Sequence, residues 1–131
     1  MKVVNNIALL LCITVLTLSQ AYAQGPADIL DQVSTGLMKG DVSMLSGHFG
    51  ERVEITLMGS RQVHSHTQAD YVMGKFFADY PPTSFYFQHN GETGGTTYAI
   101  GEYRSAKGTF EVNVFIRIDG GQRKITEIRF E

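Results

Sequence analysis

The stretch SHTQADYVMGKFFADYPP, residues 65–82, decides the fold because it predicts a helix with both ends marked. Ser65 and Gln68 have the spacing of a capping box, in which each side chain bonds a backbone N–H of the first turn. The two prolines end the helix, since proline lacks an N–H and clashes with the preceding turn. Between these limits, apolar residues recur every three or four positions and predict a stripe that faces a core. The stripe consists of Ala69, Val72, Met73, Phe76, Phe77 and Tyr80.

Four strands are predicted after this helix, and they supply the surface against which its stripe packs. Their linkers are short and contain glycine, which is typical of hairpins. Apolar residues alternate from Phe110 to Ile118, so one face of that strand is predicted to be buried. Ile125 and Ile128 are out of phase, which predicts a β-bulge in the last strand. The four strands are predicted at residues 84–90, 96–104, 109–118 and 122–130.

Two helices and a short hairpin are predicted before residue 65. The first helix begins at Pro26 and ends at Gly40, after which Asp41 caps a second, shorter helix. Residues 53–57 alternate as a strand, and residues 62–64 are predicted to return beside it. The second helix is predicted to bring Val42, Leu45 and Phe49 to the core. The element order predicts an α+β domain in which a curved antiparallel sheet wraps around three helices.

The first 23 residues have the pattern of a cleavable signal peptide. Lys2 precedes an apolar tract at residues 7–18, and small residues lead to Ala23. The tract is shorter than the roughly 20 apolar residues that a membrane-spanning helix needs. We therefore expect cleavage after Ala23, export to the periplasm or the exterior, and no membrane anchor in the mature chain.

Cys12 is the one cysteine of the chain and allows an alternative interpretation as a lipid-attachment site. That interpretation requires a very short apolar region ending at Leu11, and it leaves the apolar residues 13–18 on the mature N-terminus. We favour the signal peptide at residues 1–23, followed by a single domain at residues 24–131. The mature domain then has no cysteine and no disulfide, despite its oxidising destination.

The charge of the chain excludes one class of partner. Eleven basic and 13 acidic residues give a net charge of −2, and like charges are not grouped into blocks. Nucleic acids and anionic membrane surfaces are bound by basic patches, which are absent from this sequence. We therefore expect neither partner.

Several short motifs resemble known protein families. The residues Gly40-Asp41, Leu45 and Phe49, followed by the strand at residues 53–57, resemble the opening of the nuclear transport factor 2-like superfamily. Members of that superfamily fold as a cone, with helices held inside a curved sheet. More narrowly, four motifs are similar to an uncharacterised exported family, catalogued as domain of unknown function 4783 and found mainly in the Bacteroidota. These motifs lie at residues 65–69, 76–77, 81–85 and 98–101.

The resemblance leaves the function open. The superfamily includes ketosteroid isomerases, dehydratases and many non-catalytic binding or dimerising domains, and a shared fold does not choose among them. An isomerase or dehydratase of this fold needs a base inside the cone, with a hydroxyl or acid to hold an oxyanion. Tyr80 and Tyr98 offer hydroxyls, but no carboxylate falls on the predicted inner faces. We expect no catalytic, cofactor-binding or metal-binding residues; in the alternative, His48 or His89 supplies the base from a loop.

Two further pairs of residues are weighed as chemical sites. His64 and His66 have the spacing of two metal ligands on a strand, but no set of cysteine or acidic ligands accompanies them. They are interpreted as solvated turn residues. Asp70 and Tyr71 offer an acid and a hydroxyl, but their position on the helix predicts a solvated face.

Three aromatic residues define a candidate interface. Phe115, Tyr103 and Tyr86 are predicted on the sheet face away from the helices, where an apolar patch marks a contact with a partner. The resemblance also implies a homodimer through this face. We therefore expect a non-catalytic binding or dimerising domain of the bacterial cell envelope, whose partner is its own copy, an unknown envelope protein or a small apolar ligand. The alternative is a small pocket enzyme of the ketosteroid-isomerase or dehydratase type.

Overall fold

A computed structural model describes residues 25–131, which form three helices and one six-stranded sheet. The predicted signal peptide, with Cys12 and the cleavage position after Ala23, lies outside the described residues. Within residues 25–131, no helix has the length and apolarity needed to span a membrane. The helices are α1 (Pro26–Lys39), α2 (Val42–Ser46) and α3 (His66–Asp79). The strands are β1 (Phe49–Leu57), β2 (Ser60–Ser65), β3 (Pro82–Thr93), β4 (Thr96–Ser105), β5 (Gly108–Asp119) and β6 (Gln122–Phe130).

The helix ends follow the capping rules read from the sequence. Gly40 ends α1 in the left-handed region, with φ of 63°, and the Asp41 side chain accepts a hydrogen bond from the Met44 N–H at 3.0 Å. Both bonds of the capping box between Ser65 and Gln68 are present. The prediction that Phe49 belongs to α2 is wrong, because α2 ends at Ser46 and Phe49 begins β1.

The sheet has the strand order β2-β1-β6-β5-β4-β3. Four of its five adjacent pairs are antiparallel, as predicted, whereas β1 and β6 run parallel. No hairpin joins β1 to β6, so no tight turn forces them to be antiparallel. The helices lie on one face of the sheet, which is concave.

Several irregularities in strand pairing bend the sheet around the helices, and two of them are bulges in β6 and β3. The pairing of β5 with β6 shifts at Thr126, which confirms the predicted bulge between Ile125 and Ile128. A second bulge lies between Phe87 and His89 in β3. Bulges of this kind are what let a sheet curve.

The space between the helices and the concave face, which we call the cone interior, is filled by aromatic rings. Phe76 of α3 lies at its centre, and the centroid of its ring is 4.4 Å from that of Phe130. Four further rings lie at centroid distances of 5.3 to 6.1 Å from Phe76: Phe77, Tyr80, Tyr103 and Phe110. The predicted stripe of α3 therefore faces the core, with Val72 and Tyr80 half-buried at its edges.

Tyr103 is one of the buried rings, so its predicted place on the outer face is wrong. It pairs with Phe110 across β4 and β5 and is fully buried on the same inner face. Its hydroxyl donates a hydrogen bond of 2.5 Å to the carbonyl of Tyr80, where α3 ends. Burial raises the pKa of the Tyr103 phenol, which stays neutral. The residue thus holds the end of α3 against the sheet.

We expect Phe76→Ala to lower the free energy of unfolding by about 3–5 kcal/mol, because it leaves a cavity among five rings. Tyr71→Ala on the same helix is the matched control, since Tyr71 is 74% exposed. Its change should stay within about 0.5 kcal/mol in urea unfolding. An equal loss in both variants would contradict the central place of Phe76.

Candidate functional site

The cone interior contains no carboxylate or imidazole among the described residues that fill it. One buried acid exists, Glu127, but it lies on the outer face of β6. There the Arg129 Nε donates to it at 2.6 Å, and the Arg117 guanidinium lies 3.9 Å away. The buried charge is therefore paired on the far side of the sheet, outside the cone interior.

Polar side chains gather at one end of the cone, which we call the mouth. It is formed by the β3–β4 turn, the β5–β6 turn and the first turns of α1. Thr97 on β4 is 3% exposed, and its hydroxyl donates to Glu92 of β3 at 3.0 Å. Arg123 of β6 reaches across β5 and donates to the Thr97 hydroxyl at 3.2 Å. These bonds satisfy the buried hydroxyl and tie three strands together.

An acidic pocket opens on one side of the mouth, between α1 and the strands β3 and β4. Its volume is about 650 Å³. Its charged lining residues are Asp31 and Glu92, and Glu92 is shared with Arg123 at 3.5 Å. Ser34, Tyr86, Asn90 and Thr97 add polar groups to the lining.

A basic pocket opens on the other side of Ile29, between α1, the residues that precede β1, and the start of β6. Its volume is about 550 Å³. His48, Arg123 and Lys124 line it together with Ile29 and Ile118. The Lys124 ammonium donates one long hydrogen bond, 3.4 Å, to the carbonyl of Gly47. Burial, and then the charge of Lys124, lower the pKa of His48, so the imidazole is neutral at pH 7.

The two histidines that were candidate bases are not brought together. His48 lines the basic pocket, which has no tyrosine among its described lining residues. His89 is exposed on β3, and its Nε2 lies 3.4 Å from the hydroxyl of Tyr98 on the neighbouring strand. The one histidine of the two that lies beside a tyrosine, His89, is therefore on the surface and outside the cone interior.

The other polar candidates hold α2 and α3 together. The Nε2 of His66 lies 2.8 Å from the carbonyl of Ser46, and the Ser46 hydroxyl donates to Asp70 at 2.6 Å. Asp70 is half-buried, so its prediction as a solvated residue is wrong, whereas Tyr71 is exposed as predicted. The interpretation of His64 and His66 as turn residues is wrong, because His64 is half-buried on β2 and His66 begins α3. Within residues 25–131, no three histidine, cysteine or acidic residues are grouped as a metal site.

The three aromatic residues of the candidate interface do not form one patch. Tyr103 is inside the cone, and Tyr86, which is 45% exposed, lines the acidic pocket. Phe115 is half-buried on the outer face, where the guanidinium carbons of Arg129 and Arg117 lie 5.2 and 5.6 Å from its ring centroid. Cations over the ring cover Phe115 in part and keep this face polar.

Sequence reasoning missed the polar residues of the mouth. Glu92, Thr97 and Arg123 come from three strands and carry no motif, so their meeting is visible in the folded chain alone. The alternation of β5 was a partial signal for the mouth. It predicted Ile118 on the inner face, and Ile118 is 60% exposed where that face reaches the mouth.

Comparisons with known proteins agree on family and fold. The family model described as "Domain of unknown function (DUF4783)" matches residues 30–131. A DUF4783 family protein from Bacteroides ovatus is 26% identical, with a TM-score of 0.72, over 76% of this chain and 90% of its own. One from Bacteroides uniformis is 25% identical, with a TM-score of 0.74, over 77% and 94%. An NTF2-like protein of unknown function from Cytophaga hutchinsonii, 11% identical, shares the fold with a TM-score of 0.63 over 86% and 93%. No curated protein matches the sequence.

We expect Lys124→Gln to raise the pKa of His48, because it removes the positive charge that disfavours protonation of the imidazole. Burial remains, so the pKa should stay below the ordinary value for histidine. An NMR titration of the imidazole signals measures the change. Lys107→Gln, in the turn at the opposite end of β4, is the control. An equal change in the pKa of His48 in both variants would contradict the effect of Lys124 on His48.

Proposed function

The chain belongs to the family of domain of unknown function 4783, and from this premise we propose that it is a non-catalytic binding domain of the bacterial cell envelope. Binding takes place at the mouth of the cone. The observation that carries the proposal is the filled cone interior, where Phe76 and its five neighbouring rings occupy the space that a buried substrate would need.

The mouth offers what the interior lacks. Its two pockets have volumes of about 650 and 550 Å³, within the range of roughly 300–1,000 Å³ that small-molecule sites occupy. Each combines apolar walls with a few charged side chains, which give a ligand its orientation. The hydrogen bonds of Arg123 and Thr97 fix the strands that carry these walls, so the pockets are formed before any ligand arrives.

A pocket enzyme of the ketosteroid-isomerase or dehydratase type is the second candidate, and His48 is the observation that favours it. The imidazole is half-buried, neutral and in an open pocket, as a general base has to be. The cations Arg123 and Lys124 in the same pocket would hold a developing oxyanion. The binding domain remains the first candidate, because aromatic rings fill the cone interior in which an isomerase or dehydratase of this fold would hold its substrate.

We expect small-molecule fragments to shift the NMR signals of residues at the mouth and to leave those of the cone interior unchanged. Thr97 and Lys124 are reporters for the mouth, while Val112 and Ile128 are reporters for the interior. The exported protein is titrated with a fragment mixture, and Arg104→Gln on the exposed outer surface is the control. Shifts at Val112 and Ile128 with a silent mouth would overturn the proposal.

The same titration separates the two candidates. Conversion of an α,β-unsaturated or hydroxy ketone fragment that stops in His48→Ala, while binding persists, supports the enzyme. Binding without conversion in both proteins supports the binding domain.

We propose that the protein reaches the envelope by cleavage of residues 1–23, and we expect the exported product to begin at Gln24. A small residue at the cleavage position is required by the peptidase, so Ala23→Asp should leave the leader attached. Mass spectrometry of the exported protein measures both results, with Tyr22→Phe as the control. A product that begins at a lipid-modified Cys12 would contradict this route.

A further inference from the structure

The basic pocket has one sign of charge. Its charged lining residues, Arg123 and Lys124, are both positive; His48 is neutral, and none of the described lining residues is acidic. Glu92 engages Arg123 from the acidic side of the mouth and does not line the basic pocket. The carboxylate of Asp119, the last residue of β5, is directed to β1, where it accepts a hydrogen bond from the Glu51 N–H at 3.2 Å. The positive side of this pocket is therefore left without a negative group facing it.

Lys124 has donor capacity that the protein does not use. An ammonium group has three N–H donors, and within residues 25–131 Lys124 makes one side-chain hydrogen bond, at 3.4 Å to Gly47. A carboxylate in the pocket gives a shorter, charge-assisted bond in its place. The cation is half-buried, so such a bond is less exposed to solvent than a contact on the open surface.

Two isoleucines give the basic pocket an apolar part. Ile29 closes it from α1, and Ile118 lines it from the end of β5. Ile118 is 60% exposed, although the apolar residues that precede it on the same face of β5 are buried. A ligand with an apolar body covers this side chain and removes its surface from water, and this burial favours binding.

From the charges and the walls together, we propose that the basic pocket binds a small organic anion, a carboxylate that carries a short apolar body. The carboxylate lies against Lys124, His48 and Arg123, and the body lies against Ile29 and Ile118. The assignment rests on the proposed function, since it names the class of ligand taken at the mouth.

Three probes test the assignment on the exported protein at pH 7. Two of them share a six-carbon chain, and two of them are anions. Hexanoate has both features, hexanol has the body without the charge, and inorganic phosphate has the charge without the body. We expect hexanoate to shift the NMR signals of His48, Gly121 and Lys124, with an affinity about tenfold or more above that of hexanol, because a charge-assisted hydrogen bond is lost in the alcohol. Phosphate should also bind more weakly than hexanoate.

Substitutions at Lys124 test the charge directly. Lys124→Gln should weaken hexanoate binding about five- to tenfold, as expected for one partly exposed charged contact. Lys124→Glu should reverse the preference, so that hexylammonium binds more tightly than hexanoate. Lys107→Gln, at the opposite end of β4, should leave the affinity unchanged. Ile118→Ser tests the wall without touching a charge, and it should weaken hexanoate more than phosphate.

The outcomes separate this inference from the proposed function. Equal affinity for hexanoate and hexanol at the mouth would overturn the anion assignment and leave the mouth as a binding site. Unchanged hexanoate affinity in both Lys124→Gln and Ile118→Ser would overturn the location. Hexanoate shifts at Val112 and Ile128 would overturn the proposed function itself, because the probe would then occupy the interior.

Discussion

The packing of one helix stripe into a concave sheet is the constraint on which the rest of this structure depends. Phe76 stands among five rings, three of which come from the sheet: Tyr103, Phe110 and Phe130. Close-packed protein interiors tolerate little change in side-chain volume. The chain therefore keeps its cone closed, and the surfaces left for recognition are the mouth, the outer face and the sheet edges.

The curvature of the sheet and the polar contacts of the mouth depend on the same strands. Gly101 of β4 lies opposite Phe87 at the bulge of β3, and a Cβ on this glycine would come within 2.8 Å of the Phe85 ring. Glycine thus permits the sheet to bend while Phe85 packs over it. The bend brings the end of β3 close to the start of β6. Glu92, Thr97 and Arg123 meet there across the concave face.

Local signals in the sequence were enough to predict most of the fold. The capping box at Ser65, the prolines after Tyr80 and the glycine after Lys39 each act within a few residues, and the structure confirms all three. Tyr103 was misplaced because its side depends on the register between β4 and β5, which no local pattern determines. The parallel pairing of β1 with β6 and the polar contacts of the mouth are likewise set by tertiary contacts. The lining residues of the two pockets carry no motif, so the charge and shape of the pockets are visible only in the folded chain.

The position of β6 has a consequence for the timing of folding. Residues 122–130 form a central strand, with β1 on one side and β5 on the other, so β1 and β2 join the sheet only through the end of the chain. Among the described strands β6 comes last in chain order, so the sheet cannot assemble as a whole before β6 has been synthesised. Long-range pairings of this kind slow folding. A topology of this kind delays closure of the sheet, because the pair formed by β1 and β2 has no strand through which to join the rest until β6 is in place.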